Sequence, residues 1–327
     1  MSPRMRAPIM VAIAEVGRTS LPLLQKAAAL ARQRDASLQL VHVIALPYGP
    51  VVRAGNGVRS AFKRSMEESR EALDELTRLP ALRGLEIKTT VAWDYPASDA
   101  IVRQVLKQRP ALLIAASQRH ARLARVLLTN TDWDLIRNCP CPLLLSKTRR
   151  MPARPTVVAA LDPFHAHAKP AGLDTLILEA AVAAAGSPQR VRAFHAHEMP
   201  RLPIDGALEP YWVTMSDLDL AAYEGGVRKA LATVAARSDI PEKNVVYERG
   251  DPASRLPRFA KRCRADVVVM GAVSRSGLTR LFIGNTAERV IDKLDCDVLI
   301  VKPRRFATPV QRRPPRLPPS PPYPLTM

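Results

Sequence analysis

Short runs of consecutive apolar residues alternate along this chain with stretches whose apolar positions recur at helical spacing. Such runs, bounded by turn signals, suit strands buried on both faces, and a 3.6-residue period suits helices that cover them. In the first half the pattern predicts strands at Ile9–Ala14, Leu38–Ile44, Glu86–Val91, Leu112–Ala115 and Leu143–Leu145. Between them fall helices over Leu21–Arg34, Phe62–Leu79 and Ser98–Gln108, and one from Asp132. Ser20 is the expected N-cap of the first helix, with Pro22 tolerated in its first turn. The second half runs in the same order. Strands are predicted at Thr156–Leu161, Val191–His195, Val245–Tyr247, Val267–Met270 and Val298–Val301. Helices are predicted at Leu173–Ala185, within Leu218–Arg237, at Leu256–Arg262 and from Thr286. The fold class is α/β: two tandem doubly wound domains, each a five-stranded parallel sheet with helices on both faces.

The halves are copies. Ala111–Lys147 aligns with Asp266–Lys302 at a constant offset of 155 without a gap, with about eight identities over the last 32 positions. Asn130-Thr131 falls on Asn285-Thr286, and Cys141 on Cys296. The expected layout is a first domain over residues 1–148, a basic, proline-bearing linker over 149–155, a second domain over 156–303 and a tail over 304–327. The last strands of the two copies, Leu143–Leu145 and Val298–Val301, are apolar and suit an internal pseudo-dimer; a homodimer of whole chains is a further option.

The net charge of +19 is placed unevenly. Residues 1–150 carry 24 basic and 12 acidic side chains, residues 151–302 carry 20 and 18, and the tail adds five basic and no acidic ones. A basic first domain and tail admit an anionic ligand or nucleic acid, held by salt-sensitive electrostatics. Little aromatic interleaving points to stacking on bases. Nine prolines from Pro303 onward give the tail polyproline character and disorder, and it is expected to pack nowhere. Four cysteines in 327 residues make no disulfide framework and read as buried thiols of a reducing compartment. No apolar run reaches the roughly 18 residues that span a bilayer, so a cytoplasmic protein without a membrane partner is expected.

In such folds ligands bind at the carboxyl ends of the strands, in strand-to-helix loops. The segment GAVSRSGLTRLFIGNT leaves the strand Val267–Met270 and enters a helix. Glycine allows close backbone approach, and a helix N-terminus offers unpaired N–H groups, so the segment is chemically a phosphate cradle. The same pattern also serves as a tight turn, and no Walker Gly-Lys-Ser/Thr occurs.

The spacing of Gly271, Ser274 and Gly284, with the following Asn-Thr-Ala-Glu-Arg-Val and Cys-Asp-Val-Leu-Ile-Val-Lys-Pro, resembles the universal stress protein family and in particular its tandem members. The resemblance covers nearly the whole chain. It implies a cytoplasmic stress-response module and, in the ATP-binding branch, an adenine nucleotide with Mg²⁺. Asp162 matches the acidic position at the end of the first strand, Ala196 the backbone that meets the base, and Gly271 and Gly284 the first and third glycines. Ser274 replaces the middle glycine, and Asn285 the hydroxyl residue, with Thr286 next to it. In the first copy Ala14 holds the acidic position and Ala116, Arg119 and Thr129 the glycine positions, so no nucleotide is expected there. Arg119, His120, Arg122 and Arg125 instead fill that loop with cations; it reads as a degenerate domain kept for pairing, or as a side-chain anion site.

His165, His167, His195 and His197 fall near the ends of two neighbouring strands, together with Asp162. Imidazole is a common zinc ligand, but His195 has a counterpart in His42 and reads as a strand residue; no metal ligand is assigned. No nucleophile–base pair is visible, so no catalytic residue is named. The first reading is therefore a non-catalytic binding or regulatory module with a nucleotide in the second copy. Weak ATP hydrolysis at that loop and electrostatic nucleic-acid binding are the alternatives.

Overall fold

The computed structural model describes all residues except 1–5, 47–55, 118–127, 148–150, 164–171, 199–201, 204–211, 214–216, 273–284 and 314–327. The chain divides into two compact units. The first comprises Met1–Ala116, Thr129–Leu143 and the C-terminal Ala307–Met327; the second comprises Ser117–Leu128 and Leu144–Phe306.

In the first unit the chain runs β1 (Arg6–Ile13), α1 (Leu21–Arg34), β2 (Ala36–Ile44), α2 (Asn56–Thr77), β3 (Ile87–Trp93), α3 (Ala97–Gln108), β4 (Leu112–Ala116) and α4 (Asn130–Asn138). The strands lie in the order β3-β2-β1-β4 and every pair is parallel, with Ile9 opposite both Leu38 and Leu112. Strand β5 (Leu143–Ser146) straddles the division between the units. The strand interiors are apolar on both faces, as burial under two helical layers requires: Ile9, Met10, Val11, Leu40, Leu113 and Ile114 are fully buried.

The second unit repeats the plan with β6 (Val157–Ala160), α5 (Leu173–Ala185), β7 (Val191–His197), α6 (Asp217–Ala236), β10 (Val245–Arg249), α7 (Pro252–Arg262), β11 (Val267–Gly271), α8 (Asn285–Lys293) and β12 (Asp297–Val301). Its parallel order is β10-β7-β6-β11-β12. A two-residue antiparallel pair, β8 (Leu202–Pro203) with β9 (Trp212–Val213), stands between β7 and α6 and was not expected from the pattern.

Helix starts are where the sequence reading needs correction. Ser20 precedes α1 but does not cap it: its backbone is already helical and its Oγ donates to Gly17 O at 2.6 Å. Helix α4 begins at Asn130 rather than Asp132, because Thr129 caps it. The first part of the tail does pack. Val310 is buried within the first unit, and Arg103 Nε donates to Gln311 O at 3.1 Å. Arg103 itself is buried and paired with Asp94, so it offers a fixed donor to a segment that carries no helix or strand of its own.

Candidate ligand site at the strand ends of the second copy

From β6 the chain steps outward to β7 and β10, then returns to the other side of β6 for β11. Strand order reverses between β6 and β11, the place where doubly wound folds hold ligands at the carboxyl ends of their strands. Asp162 lies just past β6 and Gly271 ends β11, so two of the residues picked from the sequence stand at this switch point. Gly271 also has a packing reason: a Cβ there would lie 2.7 Å from Leu173 Cδ2 at the start of α5.

The Asp162 backbone N–H donates to Asp174 Oδ1 at 3.2 Å, across the first turn of α5. Its own Oδ1 is buried and has no hydrogen-bond partner among the described residues. A buried carboxylate oxygen left without a donor is costly, and a cation or donor group brought by a ligand would satisfy it.

Ala196 sits in β7 with its backbone toward the edge shared with β6. Phe194 O accepts from Leu161 N–H at 2.9 Å, so the backbone of Phe194 faces β6. Backbone direction alternates along a strand, so Ala196 faces the same edge, beyond Ala160, the last β6 residue in the ladder. His197, one residue on, faces the opposite edge, where its carbonyl accepts from Gly250 N–H at 3.0 Å.

The two described histidines of the second copy divide in role. His195 Nδ1 lies 2.8 Å from Leu161 O, and His42 Nδ1 lies 2.9 Å from Ile13 O in the first unit. The same side chain thus ties down the end of the first strand in both copies, which is a structural use. His197 has no such bond: both ring nitrogens are buried without a partner among the described residues. Its ring stacks on His195 at 5.5 Å between centroids and meets Tyr223 at 5.2 Å and Tyr247 at 5.7 Å. Burial, and then neighbouring His195, push the His197 pKa down, while Glu224 and Asp162 pull the other way. Glu224 accepts from Arg249 Nε at 2.9 Å, and Arg228 covers the Tyr247 ring at 4.9 Å. Burial and Glu224 raise the Tyr247 phenol. Tyr223, Glu224, Arg228 and Tyr247 were not picked from the sequence. The signal was the register, which sets Tyr247 beside His195. No group of three or more His, Cys, Asp or Glu fit to hold a metal occurs among the described residues.

Ser274 and Gly284 lie outside the described residues, as do His165, His167 and the first-copy cations Arg119, His120, Arg122 and Arg125. Asn285 and Thr286 open α8, with Thr286 half-buried in its first turn. The first-copy counterpart is informative. Thr129 Oγ1 accepts from Asp132 N–H at 3.2 Å, and the Asp132 carboxylate accepts from Thr129 N–H at 2.8 Å. This reciprocal box takes up the N–H groups of Thr129 and Asp132 at the start of α4 and puts a buried carboxylate at its positive end. At the 155-residue offset Gly284 replaces Thr129 and Ala287 replaces Asp132, so neither side chain of that box exists at the start of α8.

Two parallel α/β repeats, each with a strand-order reversal, one glycine-bearing and one self-capped, define the class. The chain belongs to the universal stress protein family, whose profile matches residues 5–147 and 157–302. It is 28% identical over 263 residues to Universal stress protein E of Escherichia coli K12, covering 77% of this chain and 80% of that one. The homolog of that protein from Haemophilus influenzae is 25% identical over 244 residues, covering 73% and 77%. Among solved structures, a universal stress protein of Pseudomonas aeruginosa matches with a TM-score of 0.65 at 25% identity, covering 91% of this chain and 94% of that one. One from Archaeoglobus fulgidus, at 15% identity and a TM-score of 0.62, shares the fold over 92% and 100%. No helix of the described residues is long and apolar enough to cross a membrane.

Proposed function

We propose that this tandem stress-response protein is a cytoplasmic binding module, not an efficient enzyme, and that it takes an adenine nucleotide in its second copy. The observation that carries this reading is the contrast at the two helix starts. A helix N-terminus with free N–H groups is an anion site. In the first copy Thr129 and Asp132 occupy it, whereas the second copy has Gly284 and Ala287 at the matching positions. Phosphates would lie over Gly271, Ser274 and Gly284, against Asn285-Thr286. Asp162 carries a buried oxygen without a partner among the described residues, which suits a Mg²⁺ held by one carboxylate and the phosphates. That ion would offset the repulsion between carboxylate and phosphate. The backbone of Ala196, facing the edge that β6 leaves open, suits the base. Pairing of the two copies through their last strands belongs to the same reading and is tested by expressing each copy alone and measuring whether the two associate.

Calorimetric titration with ATP, with and without Mg²⁺, tests the site. Gly284→Arg should abolish binding by filling the cradle, and Ala287→Asp should weaken it by putting a carboxylate where the first copy has one. Arg119→Ala should leave binding unchanged, and Ser274→Gly should tighten it. Equal loss in Gly284→Arg and Arg119→Ala, or no effect of Ala287→Asp, would move the ligand elsewhere. Turnover of the bound ATP within the titration would favour the enzymatic alternative.

A further inference from the structure

The first unit has a second kind of site, away from its strand-order reversal. A cleft of about 580 Å³ opens between the end of β3 and the side of α3, within the usual range for small-molecule sites. Its lining includes Trp93, Gln104, Lys107, Arg109 and, from the C-terminal segment, Arg312. We propose that this cleft binds a small phosphomonoester whose body carries hydroxyl or amino donors.

The acid in the cleft wall, Asp94, is already engaged by the buried Arg103 and by the Tyr95 N–H at 2.8 Å. Asp99, one turn before Arg103, is 3.5 Å from it. Lys107, Arg109 and Arg312 have no acidic partner among the described residues, so three cations face one cleft. Lys107 and Arg109 also suit the negative end of α3. That effect accounts for neither Arg312 nor Gln104. Arg312 arrives from far along the chain, placed by the bond from Arg103 Nε to Gln311 O.

Gln104 supplies the second observation. Its Oε1 is buried and lacks a hydrogen-bond partner among the described residues. An orphaned buried acceptor is costly, and a ligand N–H or O–H would relieve that cost. Trp93 supplies the third. Its indole N–H donates to Leu46 O at 2.8 Å, and its ring packs on Phe62 at 4.4 Å between centroids. Held by both contacts, the indole is a fixed apolar wall for the ligand body. A phosphate for the cations, a donor for Gln104 and a compact body beside Trp93 together describe the phosphomonoester.

The test uses full-length protein carrying Gly284→Arg, so that the proposed nucleotide site in the second copy is silent. Ribose 5-phosphate and inorganic phosphate serve as probes, read by calorimetry and by indole fluorescence. Saturable binding of ribose 5-phosphate is expected, tighter than that of inorganic phosphate. Lys107→Ala with Arg109→Ala should weaken it by more than about tenfold, since two charge-assisted contacts are lost. Arg312→Ala alone should weaken it less. Gln104→Leu should lower affinity for ribose 5-phosphate and leave inorganic phosphate unaffected. Lys229→Ala with Arg237→Ala removes the same charge from an exposed face of the second unit and should change nothing. Equal losses in the two double variants would reduce the effect to net charge and overturn the site. Absence of saturable binding at millimolar probe, or no preference for ribose 5-phosphate, would overturn it as well.

Discussion

Thr129 and Asp132 hold each other across the first turn of α4, the hydroxyl accepting from one N–H and the carboxylate from the other. Removing such a cap costs about 1 kcal/mol. Thr129→Ala should therefore lower the thermal midpoint by roughly 2–4 °C, the shift expected for a unit of this size. Asp132→Ala should cost at least as much, because Asp132 is buried. The double variant should cost less than the sum, since both singles break one reciprocal unit. Additive losses in thermal melts would show that the two residues act separately.

The capping box illustrates what the sequence displayed and what it hid. Thr129-Asn-Thr-Asp132 is itself a capping signature, so α4's true start was legible although the apolar pattern pointed to a start at Asp132. The strands were legible too, because burial on both faces leaves continuous apolar runs such as Val267–Met270. The wall of aromatic and imidazole rings was not. Tyr247 and His195 become neighbours only through the register between β7 and β10, and Tyr223 joins them from α6. Pairing across strands leaves no mark on spacing within one segment. The tail misled for a related reason. Proline-rich composition says that a segment forms no helix, but Arg103, some two hundred residues earlier, supplies the contact that holds Gln311.

His197 makes an acid-side prediction. Its pKa is lowered in the folded protein, chiefly by burial, so the unfolded chain binds the proton more readily. The associated stability is complete above the ordinary imidazole value of about 6.5 and is lost as pH falls through the lowered folded value. Melting midpoints measured from pH 8 down to pH 5 should fall less steeply for His197→Gln than for the wild type. Parallel curves would mean that His197 is equally easy to protonate in both states.

The thiols should be inert. Burial raises Cys296 to about 12, with Asp297 adding to the effect. The hydrogen bond with Cys139, 3.6 Å away, and then burial raise Cys141 well above its usual value. Burial also raises Cys263. Since the thiolate is the reactive form, a chromogenic disulfide reagent at pH 8 should titrate the native protein slowly and all four cysteines quickly after denaturation. Fast reaction of Cys141 or Cys296 in the native protein would contradict the burial that these shifts express.

The C-terminal segment should contribute to stability despite its composition. Deleting residues 306–327 removes the buried Val310 and the acceptor of Arg103 Nε. Burying a valine is worth about 1.5 kcal/mol or somewhat more, and ordering the segment offsets part of it. A net loss of about 1 kcal/mol, or roughly 2–4 °C in the midpoint, follows. Val310→Ala in the intact chain should reproduce much of that loss. Arg103→Ala should cost more, because it leaves Asp94 buried without its cation, and breaking a buried pair in this way typically costs about 3–5 kcal/mol. In the truncated chain Arg103→Ala should cost less than in the full chain, since its bond to Gln311 is already gone. Identical melts for full and truncated chains would mean that the packing of Val310 and Gln311 adds no net stability. Arg103 would then serve only the Asp94 and Asp99 carboxylates.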